Sequence, residues 1–252
     1  LEALGVCFHT DHGFIDASTP NGLHGAEVVL DFPSVGATEN LMMASSRAEG
    51  VTVIRNAACE PEIEDLANFI NEMGGNVQGA GTPNITITGV TSMHGTEHRT
   101  VGDRIEAGTF LTAGALTGGP VTVEGVNPDH LALALRKLQD MGCSVSMTED
   151  SVTVSRGGDL IPVDIQTLPH PGFPTDLQAQ FMVLDAAAKG TSIITENVFE
   201  NRFMFASELC RMGADVRIDG HHALITGVEG FSGAPVSSTD LRGGAALVIA
   251  AL

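Results

Sequence analysis

Lysine is nearly missing from this chain, tyrosine and tryptophan are missing altogether, and basic residues of any kind are few. Twelve Lys and Arg face thirty-one Asp and Glu over 252 residues, a formal charge of −19. That imbalance excludes the Lys/Arg footprint that nucleic acid or an anionic membrane surface requires. With aromatics at 4% and neither Tyr nor Trp, the stacking platforms of single-strand binders are lacking too. Only Lys137 and Lys189 are present, so anion handling falls to arginines or backbone N–H groups. Cys7, Cys59, Cys143 and Cys210 form no C-x-x-C pair and have no His at ligand spacing. We expect them to be buried thiols acting as small hydrophobes, with no metal site. No apolar run approaches the roughly 18 residues of a membrane span, and no basic-then-apolar leader opens the chain, so a cytoplasmic location is expected. What is present is 43% hydrophobic residues, enough for a packed core. The opening LEALG reads as a helix end and the closing GGAALVIAAL as the middle of a helix, so a fragment of a longer protein is expected.

Self-similarity is the largest signal. LEALGVCF, INEMGGNV, LQDMGCSV and LCRMGADV share one plan: an apolar helical end, a Gly, then an extended run. Their glycines, Gly5, Gly74, Gly142 and Gly213, are 69, 68 and 71 residues apart. Gly just past a helix supplies the left-handed cap conformation. A second marker, Gly50, Gly119 and Gly190, precedes the β-branched runs VTVI, PVTV and TSII. Between the markers, apolar residues at helical spacing predict three helices. Their stripes are Ile63, Leu66, Ile70 and Met73; Leu131, Leu135, Leu138 and Met141; and Phe199, Phe203, Ala206, Leu209 and Met212. The predicted unit is helix, strand, helix, strand, strand, an α/β subdomain repeated about a pseudo-symmetry axis.

Polar chemistry collects where each unit's first helix begins: FPSVGAT, VGDRIEAGT, HPGFPTDLQ and SSTDLRGGA. Helix N-termini carry unpaired N–H donors and about half a positive charge, so they hold phosphates or carboxylates without lysine. Thr175 with Gln178 also fits a capping box, and Asp176 or Asp240 in a first turn suits the helix dipole, so capping and ligand binding both stay open. Arg104, Arg202 and Arg242 read either as surface ion pairs or as clamps for an anion. His221-His222 reads as a hairpin turn, and His94 and His98 do not share the helix that a metal pair would use. EPEIED at Glu60 to Asp65 reads as an acidic first helical turn.

The strings FPTDLQAQF (Phe173 to Phe181), TENVFENRFMFASELCRMGAD (Thr195 to Asp215) and SGAPVSSTDLRGGAALVIAAL (Ser232 to Leu252) resemble an enolpyruvyl transferase family, the UDP-N-acetylglucosamine 1-carboxyvinyltransferases. PSVGATENLMMAS, ACEPEIEDLANFINEMG and GDRIEAGTFLTAGAL are similar in the same order, so the resemblance covers the whole chain. It implies an α/β fold of pseudo-symmetric βαβαββ repeats in two domains, an inside-out α/β barrel with the active site in the cleft between them. By resemblance, residues 1–102 are the latter part of the first domain and 103–252 most of the second. The implied reaction moves the enolpyruvyl group of phosphoenolpyruvate to a hydroxyl of UDP-N-acetylglucosamine and releases phosphate, in a cytoplasmic monomer without metal or organic cofactor. Asp176 matches the family's candidate base, and Thr175 a substrate-contacting position. Val198 matches a residue whose backbone binds the sugar nucleotide. Arg202, Asp240 and Arg242 match residues that handle the enolpyruvyl anion, and Ser34, Val35 and Gly36 a loop for the uridine diphosphate end.

Phe32 stands where the family often has lysine, removing a cation near that loop. The family's proton-donor cysteine would lie upstream of Leu1, so the 252 residues alone are expected to be inactive. The alternatives are a catalytically silent sugar-nucleotide-binding paralogue and a transferase with another acceptor.

Overall fold

The computed structural model describes residues 1–238 and 240–252. Contacts divide the chain into two compact units, Leu1–Val101 and Gly102–Leu252.

The first unit opens with a 3₁₀ turn, Glu2–Leu4, and an exposed antiparallel hairpin of β1 (Cys7–Asp11) and β2 (Phe14–Ser18). One full repeat follows: β3 (Glu27–Val29), α1 (Val35–Ser45), β4 (Val51–Arg55), α2 (Pro61–Glu72), β5 (Val77–Gln78) and β6 (Asn84–Thr88). The strands form one sheet in the order β3-β4-β6-β5, with β3 parallel to β4 and the other pairs antiparallel. Pro61 is tolerated at the start of α2 because its missing N–H had no helical partner to lose, and Glu62 and Glu64 place negative charge in that first turn. Ile63 and Ile70 from α2 close over Ile54, Ile85 and Ile87 of the sheet.

The second unit holds two repeats and a further helix. The first repeat is α3 (Arg104–Thr117), β7 (Val121–Glu124), a 3₁₀ turn (Pro128–Leu131) running into α4 (Ala132–Asp140), β8 (Ser144–Met147) and β9 (Ser151–Ser155). Next come β10 (Ile165–Gln166), a 3₁₀ turn (Thr175–Leu177) leading into α5 (Gln178–Ala187), β11 (Thr191–Thr195), α6 (Ala206–Arg211), β12 (Asp215–Asp219) and β13 (His222–Thr226). Last is α7 (Leu241–Ala250). The sheets run β7-β9-β8 and β10-β11-β13-β12.

Helices α3, α5 and α7 pack on one another, and α5 is buried from Gln178 to Asp185 and on to Ala186. They run in parallel. Leu116, Ala187 and Ala250, at their C-terminal ends, line one depression, whereas Gly108 early in α3 touches Leu177 and Arg242 of α7 reaches Asp176. A Cβ on Gly108 would come within 2.6 Å of the Leu177 side chain, so only glycine lets α3 approach this closely. The parallel arrangement therefore gathers three helix N-termini at one end of the unit.

The four cap glycines take φ of +92, +90, +90 and +99°, the left-handed conformation that the repeat pattern predicts. In the second marker set, α3 closes on the left-handed Gly118, one residue before Gly119. Two expectations need correction. The third predicted helix is short: α6 begins at Ala206, and Phe199 lies in the irregular loop after β11, 51% exposed. The four cysteines are not all buried. Cys143 is, Cys59 is half-buried, and Cys7 and Cys210 are exposed, the first on the open hairpin and the second facing off the buried stripe of α6.

Candidate active site

Three chain segments meet at the N-terminal end of the α3, α5 and α7 bundle: the turn before α5, the loop after β11, and the start of α7. Asp176 sits in the first. Its Oδ1 accepts from Arg202 Nη2 at 2.5 Å and lies 3.3 Å from Arg242 Nε. All three side chains are partly shielded, at 37%, 20% and 28% exposure, so these ion pairs are less screened than surface ones. Each arginine therefore pairs with a carboxylate far from it in sequence, and the surface ion-pair reading gives way. Arg104 departs from it as well, being buried in α3. The Arg202 guanidinium also stacks over the Phe199 ring, 4.9 Å from its centroid, which fixes the plane of its donors.

Asp240 is an N-cap. Its Oδ1 accepts from the N–H groups of Arg242 (3.0 Å) and Gly243 (2.9 Å), so the carboxylate starts α7 and sets the position from which Arg242 reaches Asp176. Thr175 departs from the capping-box reading, since α5 has no side-chain cap and the Thr175 hydroxyl instead donates to Glu196 Oε2 at 2.9 Å. Val198 lies on the loop after β11, with its N–H donated to Glu196 Oε1 at 2.8 Å. Val198, Phe199, Glu200, Arg202, Met204 and Asp240 border an open depression of about 530 Å³. Thus Asp176, Arg202 and Arg242 are joined directly, and Asp240, Thr175 and Val198 join them at one remove.

Ser34, Val35 and Gly36 belong to the first unit. Ser34 caps α1, its Oγ accepting from the Ala37 N–H at 3.3 Å, and its carbonyl accepts from the Thr38 hydroxyl at 2.8 Å. Gly36 is exposed, and a Cβ there would meet nothing within 4 Å. Phe32, just before, is 43% exposed. His94 and His98 share no helix. His98 is held between Asp65 (3.1 Å) and Glu72 (2.9 Å), hydrogen bonds to Glu72 and then Asp65 that raise its pKa. His221 forms the turn before β13, as its sequence suggests.

Glu196 is the buried residue at this site that sequence reasoning did not single out. It is 2% exposed yet follows a β-branched run, where a glutamate ordinarily marks a strand leaving the core. The available signal was its position at the corner that the other two repeats fill with Asn56 and Gly125.

The family model for EPSP synthase (3-phosphoshikimate 1-carboxyvinyltransferase) matches residues 1–252. The chain belongs to the EPSP synthase family. Among curated members, it is 53% identical over all 252 residues to UDP-N-acetylglucosamine 1-carboxyvinyltransferase 1 of Staphylococcus aureus. It is 54% identical to UDP-N-acetylglucosamine 1-carboxyvinyltransferase 2 of Staphylococcus saprophyticus. The chain spans 60% of the length of each. Among solved structures, the enolpyruvyl transferase NikO from Streptomyces tendae superposes with a TM-score of 0.84 at 26% identity, over 99% of this chain and 62% of that one. EPSP synthase from Acinetobacter baumannii, at 19% identity and a TM-score of 0.69, shares the fold over the same extents. The EPSP synthase family architecture of mixed α/β repeats with open sheets is thus the architecture of this chain.

Proposed function

We propose that the protein carrying this chain transfers the enolpyruvyl group of phosphoenolpyruvate to a hydroxyl of UDP-N-acetylglucosamine, releasing phosphate, as a step of peptidoglycan precursor synthesis. The observation that carries this reading is the convergence of Arg202 and Arg242 on Asp176 at the N-terminal end of three parallel helices. The identity to curated 1-carboxyvinyltransferases supports the choice of acceptor.

In this reading Asp176 receives the proton of the attacking hydroxyl, and the hydroxyl oxygen bonds to C2 of phosphoenolpyruvate as the C2–C3 π bond opens and C3 takes a proton from a general acid. Loss of a C3 proton then restores the double bond as the C2–O bond to phosphate breaks. One donor of each arginine engages Asp176. The remaining N–H groups of each fork face the carboxylate and phosphate of the substrate, stabilising the charge that grows as phosphate leaves. Asp240 fixes Arg242 through the α7 cap. Thr175 and the Val198 backbone hold the sugar nucleotide, and Ser34, Val35 and Gly36 hold its diphosphate end. Residues 1–102 then form the latter part of one transferase domain and 103–252 most of another, in a cytoplasmic monomer. No helix among the described residues is long and apolar enough to cross a membrane.

The test is phosphate release from phosphoenolpyruvate by the complete gene product, with UDP-N-acetylglucosamine as acceptor and shikimate 3-phosphate as control. Release with the sugar nucleotide alone is expected. Release only with shikimate 3-phosphate, or with neither acceptor, rejects the reading.

A further inference from the structure

Glu196 is a buried carboxylate at a corner where the other repeats carry none. In each repeat the last inward residue of the same strand pairs with the last strand: Ile54 with Ile85, Val123 with Val152, and Ile194 with Ala223. Two residues further on stand Asn56, Gly125 and Glu196. Asn56 and Gly125 are exposed, whereas Glu196 is 2% exposed. The fold of the repeat therefore does not require an acid at this corner, and burying one costs free energy unless its oxygens are satisfied.

They are satisfied by the site. Oε1 accepts from the N–H groups of Val198 (2.8 Å) and Phe199 (3.1 Å), and Oε2 accepts from the Thr175 hydroxyl (2.9 Å). The bonds close a circuit. Thr175 precedes Asp176, Asp176 holds Arg202, Arg202 stacks on Phe199, and the Phe199 N–H returns to Glu196. On its other flank the loop is tied at Asn197, whose N–H donates to Thr167 Oγ1 at 2.9 Å. The two N–H groups turned to Glu196 hold the backbone of Phe199 while its ring lies against Arg202.

We propose that Glu196 is a positioning residue that locks the Val198 loop to the Thr175–Asp176 turn, setting the spacing between sugar-nucleotide contacts and the Asp176–arginine cluster. This rests on the active-site reading above. Glu196 touches no substrate. It acts through Val198, Phe199 and Thr175.

The test uses Glu196→Ala and Glu196→Gln in the complete gene product, with two readouts. In hydrogen exchange followed by NMR, Glu196→Ala should lose protection at the Val198 and Phe199 amides by about 10-fold or more, while β11 and β13 keep theirs. Gln keeps one acceptor oxygen for those N–H groups and can donate its amide to the Thr175 oxygen, so it should retain protection. In kinetics, Glu196→Ala should raise the KM for UDP-N-acetylglucosamine by about 10-fold with kcat changed by less than about 3-fold, and Glu196→Gln should restore KM to within about 3-fold. Unchanged amide protection in Glu196→Ala, an unchanged KM, or a Gln variant as impaired as the Ala variant would each overturn the proposal. If Glu196→Ala does not fold, the Gln variant decides alone, because loss of protection or of KM in a folded Gln protein contradicts positioning by acceptor geometry. If the wild-type protein shows no transferase activity, the functional reading fails separately, and the amide readout still judges Glu196.

Discussion

Asp176 takes both arginines on a single oxygen. Asp176→Asn keeps an oxygen for Arg202 and Arg242 but removes the group able to accept a proton. Turnover is expected to fall by about 100-fold or more with the melting temperature held. A fall in melting temperature with turnover preserved would make the residue structural. Asp185 presents the opposite case. It is fully buried on α5, and burial raises its pKa to about 7 despite the Val163 N–H donated to it at 3.0 Å. The folded protein holds this proton up to about pH 7, whereas the unfolded chain releases it near 3.8. Stability should therefore decline as pH rises from about 4 to about 7, by at most roughly 4 kcal/mol at 1.36 kcal/mol per pKa unit. Asp185→Asn should remove that contribution, read as a smaller fall in denaturant midpoint from pH 5 to pH 8 than the wild type shows. Which residues carry polar chemistry was legible in the sequence for Asp176, Arg202 and Arg242. That they meet was not, because 26 and 66 residues separate the arginines from the aspartate and only tertiary packing closes those distances.

At the scale of elements, local chemistry decides where helices begin and end. Asp103 accepts from the N–H groups of Ile105 (2.7 Å) and Glu106 (3.0 Å) and so starts α3. Asp103→Ala should cost about 1 kcal/mol in chemical denaturation, and no loss would mean that packing on α5 holds α3 without the cap. Gly142 holds φ +90° after α4 with only ordinary contacts around a would-be Cβ. Gly142→Ala should cost about 1–2 kcal/mol through backbone conformation alone. The helix, strand, helix, strand, strand order was legible because cap glycines and β-branched runs are local signals of fixed spacing. The third helix was overextended because Phe199 and Phe203 fit a helical period, although the chain before Ala206 runs as loop and turn. The cysteines were misjudged for a different reason: Cys7 lies on a hairpin exposed on both faces and Cys210 on the outer face of α6, and composition encodes neither.

For the whole molecule, the acid excess and the anion-directed arginines have to be reconciled. A formal charge of −19 repels anions at long range, so in the proposed reading attraction for phosphoenolpyruvate comes from short-range donors: the Arg202 and Arg242 forks and the helix N-termini of one unit. The same charge opposes compactness. Raising salt from about 20 to about 200 mM should raise the melting temperature as self-repulsion is screened, and a flat or falling trend would show that the acidic side chains are already neutralised locally. The central claim is group transfer to a sugar nucleotide, and it is tested most directly by following carbon-labelled phosphoenolpyruvate through the complete gene product. The account predicts that label appears in UDP-N-acetylglucosamine, one enolpyruvyl group for each phosphate released, and not in shikimate 3-phosphate. Phosphate released without label in the sugar nucleotide, or label carried only to shikimate 3-phosphate, would contradict it.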